Sequence, residues 1–292
     1  MSEVLRIGVI GVGVMGRPMA LNLLRAGFPV AVYARRAAPV ESLVAEGAQV
    51  FASPAALAAV CDVVITVVTA DADVEQVLFG PDGVGTTIRP GSLVIDHSTI
   101  SPATARRCAL RLAGQSVQML DAPVSGGEAG AIAGTLSIMV GGAVDAFERA
   151  RPVLSVIGKT LVHVGDRGAG QIAKAANQLA ICVTLQGMAE AFCLAQASGV
   201  DPARVLEAVR QGPAASRILD VMGPKMVNGD SSAGVESRLH WKDLRIVLEA
   251  ARRAGVALPA AAIATQTFSA LQKSGGERLD SSAIVEVVRR SR

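Results

Sequence analysis

Near the start of the chain, Ile7-Gly8-Val9-Ile10-Gly11-Val12-Gly13-Val14-Met15-Gly16 sets three glycines in the spacing G-x-G-x-x-G directly behind an apolar run. That spacing suits a phosphate: Gly11 permits a tight turn, Gly13 lets the backbone approach a pyrophosphate, and Gly16 lets a helix pack closely on a strand. The N–H groups and positive dipole end of the following helix then face the anion. An ordinary glycine turn is the plain alternative, but a place between strand and helix favours a dinucleotide. About 20 residues on, an NAD site usually carries an acid for the ribose 2′-hydroxyl. Here the chain reads Ala34-Arg35-Arg36. A guanidinium pairs bidentately with the extra phosphate of NADP, which an acid would repel. NADP(H) is therefore the expected cofactor and NAD(H) the second choice, against a reading of both arginines as solvated surface charges.

Two further groupings could handle a small anionic substrate. Ser125-Gly126-Gly127, inside Asp121-Ala122-Pro123-Val124-Ser125-Gly126-Gly127-Glu128-Ala129-Gly130, offers a hydroxyl and unobstructed backbone amides for a carboxylate; by composition it serves equally as a flexible turn. Lys174, Asn177 and Gln178 stand at i, i+3 and i+4 of a helical pattern, so one face presents an ammonium beside two amides. A lone helix lysine is ordinarily a solvated charge. One clustered with amides at the start of an otherwise uncharged helix is a candidate acid or base.

The elements that must position these groups fall into two blocks. Through residue 165, short β-branched runs alternate with helical patterns: strands over 4–10, 30–33, 63–68, 93–96, 119–122, 136–140 and 160–164, helices over 15–26 and around 39–46. Near-continuous apolar strands separated by helices imply a parallel sheet covered on both faces. Beyond Gly170 the pattern is helical only, over 171–198, 202–212, 216–226, 239–254, 259–273 and 282–290, with Asp201 as N-cap and Pro202 at N1 of the second. The expected fold is an α/β Rossmann-type parallel-sheet domain, 1–165, followed by an all-α domain, 166–292, for substrate and oligomerisation. A long helix of about 40 Å, at 1.5 Å per residue, joins them.

Composition narrows the function classes. The 292 residues are 51% hydrophobic and 18% charged, which excludes disorder. A net charge of +3, with one Trp, one Tyr and six Phe, leaves neither a polyanion-binding surface nor stacking platforms for nucleic acid. Cys61, Cys108, Cys182 and Cys193 form no C-x-x-C pair and lie near none of the three histidines, so no metal is expected and each cysteine reads as a small buried apolar residue. The uncharged stretch Ala175–Ala189 is shorter than the roughly 18 apolar residues of a membrane span and carries amides, so no membrane association is expected. The N-terminal apolar run meets Gly11 too early for a signal peptide, which reads as cytoplasmic. The weakly charged middle of the long helix implies burial nearly all round, against the second domain and a partner subunit, so a homodimer or homotetramer is expected.

Four motifs in order, Gly11–Gly16, Asp121–Gly130, Gly168–Gln178 and Leu239-His240-Trp241-Lys242-Asp243-Leu244, make the chain resemble the β-hydroxyacid dehydrogenase family over essentially its whole length. The resemblance implies a nicotinamide cofactor on Gly11 to Gly16, substrate on Ser125, Gly126 and Gly127, and Lys174 as the catalytic lysine. It also implies cofactor contacts at Thr99, in Asp96-His97-Ser98-Thr99, and at Lys242. Val68-Thr69 replaces the family's Leu-Pro, leaving a backbone contact there. Gln178 stands where an Asn is usual, as in tartronate semialdehyde reductase-like members; its extra methylene would carry an amide into the pocket toward a substrate hydroxyl. Imine reductases share the architecture but usually replace the lysine. The expected function is interconversion of a small 3-hydroxy acid and its semialdehyde, most nearly 2-hydroxy-3-oxopropionate reduction. The alternatives are 3-hydroxyisobutyrate dehydrogenase or another semialdehyde or glyoxylate reductase, and a non-catalytic NADP(H)-binding module. His240 and Trp241 fit a cleft or helix packing equally; His163 reads as structural, and His97 carries no assigned role.

Overall fold

A computed structural model describes residues 5–35, 40–232 and 234–290. The chain forms two compact units, Met1–Lys174 and Ala175–Arg292. In the first, β1 (Ile7–Ile10), α1 (Gly16–Arg25), β2 (Val30–Tyr33), α2 (Glu41–Ala45) and β3 (Gln49–Val50) build one half of a sheet. Next come α3 (Pro54–Ala58), β4 (Val63–Thr66), α4 (Asp71–Phe79), β5 (Leu93–Asp96), α5 (Pro102–Ala113) and β6 (Gln118–Asp121). The tail of the unit holds β7 (Val124–Ser125), α6 (Gly127–Ala133), β8 (Leu136–Gly141), α7 (Val144–Ile157), β9 (Gly158–Gly165) and the start of α8 (Ala169–Ala197).

The sheet order is β3-β2-β1-β4-β5-β6-β8-β7, with β9 beside β8. Order reverses between β1 and β4, and ligands of such sheets bind outside the strand ends at this switch point. Strand side chains alternate between two cores. Ile7, Val9, Val63, Ile65, Leu93 and Ile95 face one with α1 and α7, while Ile10, Val64, Val94 and Met119 face the other with α3, α4 and α5. Both faces are covered, which explains the unbroken apolar runs. The strands are parallel except for β8, which runs antiparallel to β6 and β7, and β9, which pairs parallel with β8 and so shares its reversed direction. The short α6 between β7 and β8 is too brief for a parallel crossover, which takes a dozen or more residues, so the chain doubles back.

The helical unit comprises the rest of α8, then α9 (Pro202–Val209), α10 (Arg217–Asn228), α11 (Ser237–Ala254), α12 (Pro259–Lys273) and α13 (Ile284–Arg290). Asp201 caps α9 through the Ala203 N–H with Pro202 in its first turn, as its sequence implies. Cys182, Leu185, Ala189 and Phe192 of α8 pack with Met222, Leu244, Phe268 and Ile284 in one core. With 29 residues, α8 is longer than its uncharged stretch, and in length and apolarity alone it could cross a bilayer. A core helix meets the same criteria, and its buried side serves as one here.

The compact units meet at Lys174 and Ala175, inside α8. The start of α8 is hydrogen-bonded to Asp121 at the end of β6 and to Ser98 just beyond β5, which groups it with the sheet unit.

Candidate active site

The glycine loop leaves β1 beside the chain that follows β4. Gly11 has φ of +96°, and a Cβ there would lie 2.2 Å from the Val67 carbonyl oxygen. A Cβ on Gly16 would lie 2.0 Å from the Gly11 carbonyl, so α1 starts hard against the loop. At Gly13 a Cβ would meet nothing within 4 Å. Protein packing thus accounts for Gly11 and Gly16 but leaves Gly13 facing open space, next to an α1 start that no side chain caps. That cradle fits a dinucleotide pyrophosphate. Within the same loop Val12 is buried, Met15 half-buried and Val14 exposed.

Arg35 follows β2, mostly exposed, with its guanidinium 3.8 Å from Asp73 in the first turn of α4. Arg36 lies outside the described residues. Val68 is half-buried, and its N–H donates to Ser98 Oγ at 3.0 Å; Thr69 is exposed and Thr99 half-buried. Asp96, closing β5, organises both segments: its Oδ1 accepts from Thr66 Oγ1 at 2.8 Å and from the Ser98 N–H at 3.1 Å. Burial pushes its carboxyl up to about 6. His97 is buried as well, and burial depresses its imidazole to about 4. A neutral ring next to a carbonyl must carry its proton on Nδ1, which donates to Ala122 O at 2.6 Å.

Ser125 is half-buried and Gly126 and Gly127 are exposed, with φ of +138° and +62° at the two glycines. A residue with a Cβ would be strained at these angles. Four residues earlier Asp121 is buried at the end of β6, its carboxyl raised by burial despite backbone N–H donors from Gly168 and Gln171. Three residues beyond Gln171 stands Lys174, 7% exposed.

In the helical unit Asn177 Nδ2 donates to Gln178 Oε1 at 2.8 Å, and Gln178 Nε2 donates to Asp243 Oδ2 at 2.7 Å. Lys242 Nζ lies 3.0 Å from Asp243 Oδ1. The extra methylene of Gln178 thus brings its amide to Asp243, rather than leaving it at an open pocket as the sequence leads one to expect. His240 bonds Ser281 Oγ at 2.7 Å and meets the Phe268 ring edge-on, which makes it a packing residue; Trp241 is half-buried under Arg245. His163 bonds the Gly142 carbonyl and stacks on Phe147. All four cysteines are buried thiols, with Cys61 and Cys108 pushed up to about 12 by burial. Among the described residues no three His, Cys, Asp or Glu side chains are placed to hold a metal.

Sequence reasoning misses Asp96, Asp121, Gln171 and Asp243. The available signal for the first two is an acid closing an otherwise apolar strand, since a buried carboxylate needs partners to be tolerated.

Residues 6–165 match the NAD binding domain of 6-phosphogluconate dehydrogenase, and residues 168–288 match the NAD-binding model of NADP-dependent 3-hydroxyisobutyrate dehydrogenase. The chain belongs to the β-hydroxyacid dehydrogenase family. It is 38% identical to the 2-hydroxy-3-oxopropionate reductase of Escherichia coli K12, covering 97% of each chain. It is also 38% identical to the 3-hydroxyisobutyrate dehydrogenase of Pseudomonas aeruginosa, over 97% of this chain and 98% of that one. The Mycobacterium tuberculosis 3-hydroxyisobutyrate dehydrogenase, solved with L-serine, superposes with a TM-score of 0.90 at 32% identity, covering 98% of this chain and all of that one. The protein is therefore an NAD(P)-dependent oxidoreductase, and the reading as a non-catalytic module is set aside.

Proposed function

We propose that the protein reduces a small semialdehyde with NADPH, and that the substrate is 2-hydroxy-3-oxopropionate. The observation that carries this reading is Lys174: a lysine only 7% exposed, on a helix whose first turn is hydrogen-bonded to the sheet. Burying a cation is costly, and an enzyme recovers that cost when the charge meets a developing alkoxide. When bound, the cofactor supplies the hydride. Lys174 Nζ then holds the proton that the substrate oxygen takes up, and stabilises negative charge on that oxygen while the proton moves. Asn177, one turn further along, orients the reacting groups. Its own amide is steadied by Gln178, which Asp243 fixes in turn. Ser125 Oγ and the amides of Gly126 and Gly127 receive the substrate carboxylate on a turn whose positive φ angles leave the backbone unobstructed by side chains. Gly11 to Gly16, Val68, Thr69, Thr99 and Lys242 serve the cofactor.

Arg35 and Arg36 favour NADP(H), because no acid stands after β2 to take a ribose hydroxyl. A 3-hydroxyisobutyrate dehydrogenase is the second reading, supported by the Pseudomonas relative at equal identity. A homodimer or homotetramer is supported by apolar side chains on the outer side of α8, Ile172 at 45% and Leu194 at 69% exposure. A cytoplasmic setting is supported by four thiols outside any disulfide.

The test is a panel of 2-hydroxy-3-oxopropionate, methylmalonate semialdehyde, succinate semialdehyde and glyoxylate, each with NADPH and NADH, on wild type and Arg35→Ala. The expected result is highest kcat/KM for 2-hydroxy-3-oxopropionate with NADPH. Arg35→Ala should lose about tenfold with NADPH, roughly one charge-assisted pair, and nothing with NADH. Equal efficiency with both cofactors in the wild type would remove the NADP assignment, and a preference for methylmalonate semialdehyde would promote the second reading.

A further inference from the structure

We infer that Asp121 is the positioning residue that sets where Lys174 stands; the inference rests on the role proposed for Lys174. The first turn of α8 carries no acidic residue of its own, so its unpaired N–H groups need an acceptor from elsewhere. Asp121 provides it from the end of β6: Oδ1 accepts from the Gly168 N–H at 2.7 Å and Oδ2 from the Gln171 N–H at 2.9 Å. Gln171, itself 1% exposed, adds a second fastening, with Nε2 donating to Ser98 O at 2.8 Å and Oε1 accepting from the Ile100 N–H at 3.1 Å.

The approach leaves no slack. A Cβ on Gly170 would lie 2.3 Å from the Asp121 carbonyl oxygen and 2.5 Å from that of Met139. A Cβ on Gly141 would lie 2.6 Å from the Gly170 nitrogen. Lys174 follows Gln171 by three residues, about 4.5 Å along a rigid helix at 1.5 Å per residue. Any slip of the first turn is therefore passed on to the ammonium. The same carboxylate stands four residues before Ser125, and through Gln171 the same turn holds Ser98 and Ile100 on either side of Thr99. One buried acid thus indexes the lysine against both segments assigned to substrate and cofactor.

An amide cannot do this work. Asparagine at 121 keeps one acceptor oxygen but turns an NH2 group toward the other N–H. The test compares full-length Asp121→Asn, Gln171→Ala and the double variant with Lys174→Ala, by steady-state kinetics and amide hydrogen exchange. For Asp121→Asn, kcat should fall about 10- to 100-fold, as expected for a reacting group displaced by about 1 Å. KM for NADPH should stay unchanged, and the amides of Gly168 and Gln171 should exchange faster. Gln171→Ala should lower kcat less and, because it also releases the segment around Thr99, raise KM for NADPH modestly; the double variant should lose less kcat than the sum because both act on one turn.

Wild-type kcat in Asp121→Asn, with those amides exchanging faster and Lys174→Ala inactive, would overturn this inference alone. So would a loss of kcat matched by a rise in KM for NADPH and faster exchange throughout the sheet, which marks a general loss of structure. If Asp121→Asn does not fold, Asp121→Glu, which keeps both oxygens but sets them one methylene further out, replaces it: wild-type kcat with faster exchange at Gly168 and Gln171 would overturn the inference, and a selective loss of kcat would support it. Undiminished turnover in Lys174→Ala would instead overturn the proposed role of the lysine, and this inference with it.

Discussion

Asp96 and His97 are neighbours buried together, and their titrations oppose each other. The Asp96 carboxyl is raised from 3.8 to about 6, so the folded chain keeps a proton that the unfolded chain gives up across that interval. Its contribution favours the fold below about pH 4 and is lost as pH rises through 6. His97 is lowered from 6.5 to about 4, so the unfolded chain gains a proton first and stability is lost as pH falls across that interval. Between pH 4 and 6 the two contributions offset one another. Asp96→Asn keeps an oxygen for Thr66 and Ser98 and removes the buried charge. It should raise stability at pH 7.5 by on the order of 1–3 kcal/mol, taking 1.36 kcal/mol per pKa unit, and expose a steeper loss on acidification from pH 6.5 to 4. Chemical denaturation of both proteins at pH 4.5 and 7.5 checks this; an equal difference at the two values would show that the Asp96 charge costs nothing. At this scale the sequence reveals Gly11, Gly13 and Gly16 because their chemistry is local. It hides Asp96 and Asp121 because their hydrogen-bond partners lie 30 and about 50 residues away. Gln178 is legible as an amide on the lysine's face, but not as a partner of Asp243, 65 residues on.

The elements are legible to the extent that periodicity alone decides them. Strands 30–33 and 93–96 and helix 259–273 form over the expected residues, because each is an apolar or amphipathic run with sharp ends. The reversal of β8 is not, since direction depends on the length of the link before it rather than on the strand's own pattern. Gly8 shows how tightly the elements meet. It sits mid-strand in β1, where glycine weakens a sheet, yet a Cβ there would lie 2.2 Å from Leu57 Cδ2 and 3.0 Å from Cys61 Sγ. Gly8 thus admits α3 onto the sheet. Gly8→Ala should destabilise the fold by about 1–3 kcal/mol through overpacking, read as a lower denaturation midpoint with unchanged slope. An unchanged midpoint would mean that α3 moves aside without cost.

The whole molecule follows from one helix. Ala169–Ala197 begins hydrogen-bonded to the sheet unit and continues as a core helix of the helical unit, carrying Lys174 as the last residue of one and Asn177 and Gln178 just inside the other. The two-block organisation is readable in the sequence because strands stop where this helix starts. What the sequence does not show is that Asp121 and Gln171, through hydrogen bonds spanning 47, 50 and 73 residues of chain, tie the start of this helix to the sheet. Its apolar length has the same origin: a helix buried on one side and carrying apolar residues on the other needs few charges.

In the proposed reaction the Lys174 ammonium gives up the proton that accompanies hydride transfer. Turnover of 2-hydroxy-3-oxopropionate with NADPH in wild type and Lys174→Ala, with NADPH affinity titrated separately, tests this role. In Lys174→Ala kcat should fall about 10²- to 10⁴-fold, the usual worth of a positioned acid, while NADPH affinity is unchanged. A variant that turns over at the wild-type rate, or one that loses activity only because it no longer binds NADPH, would contradict this role.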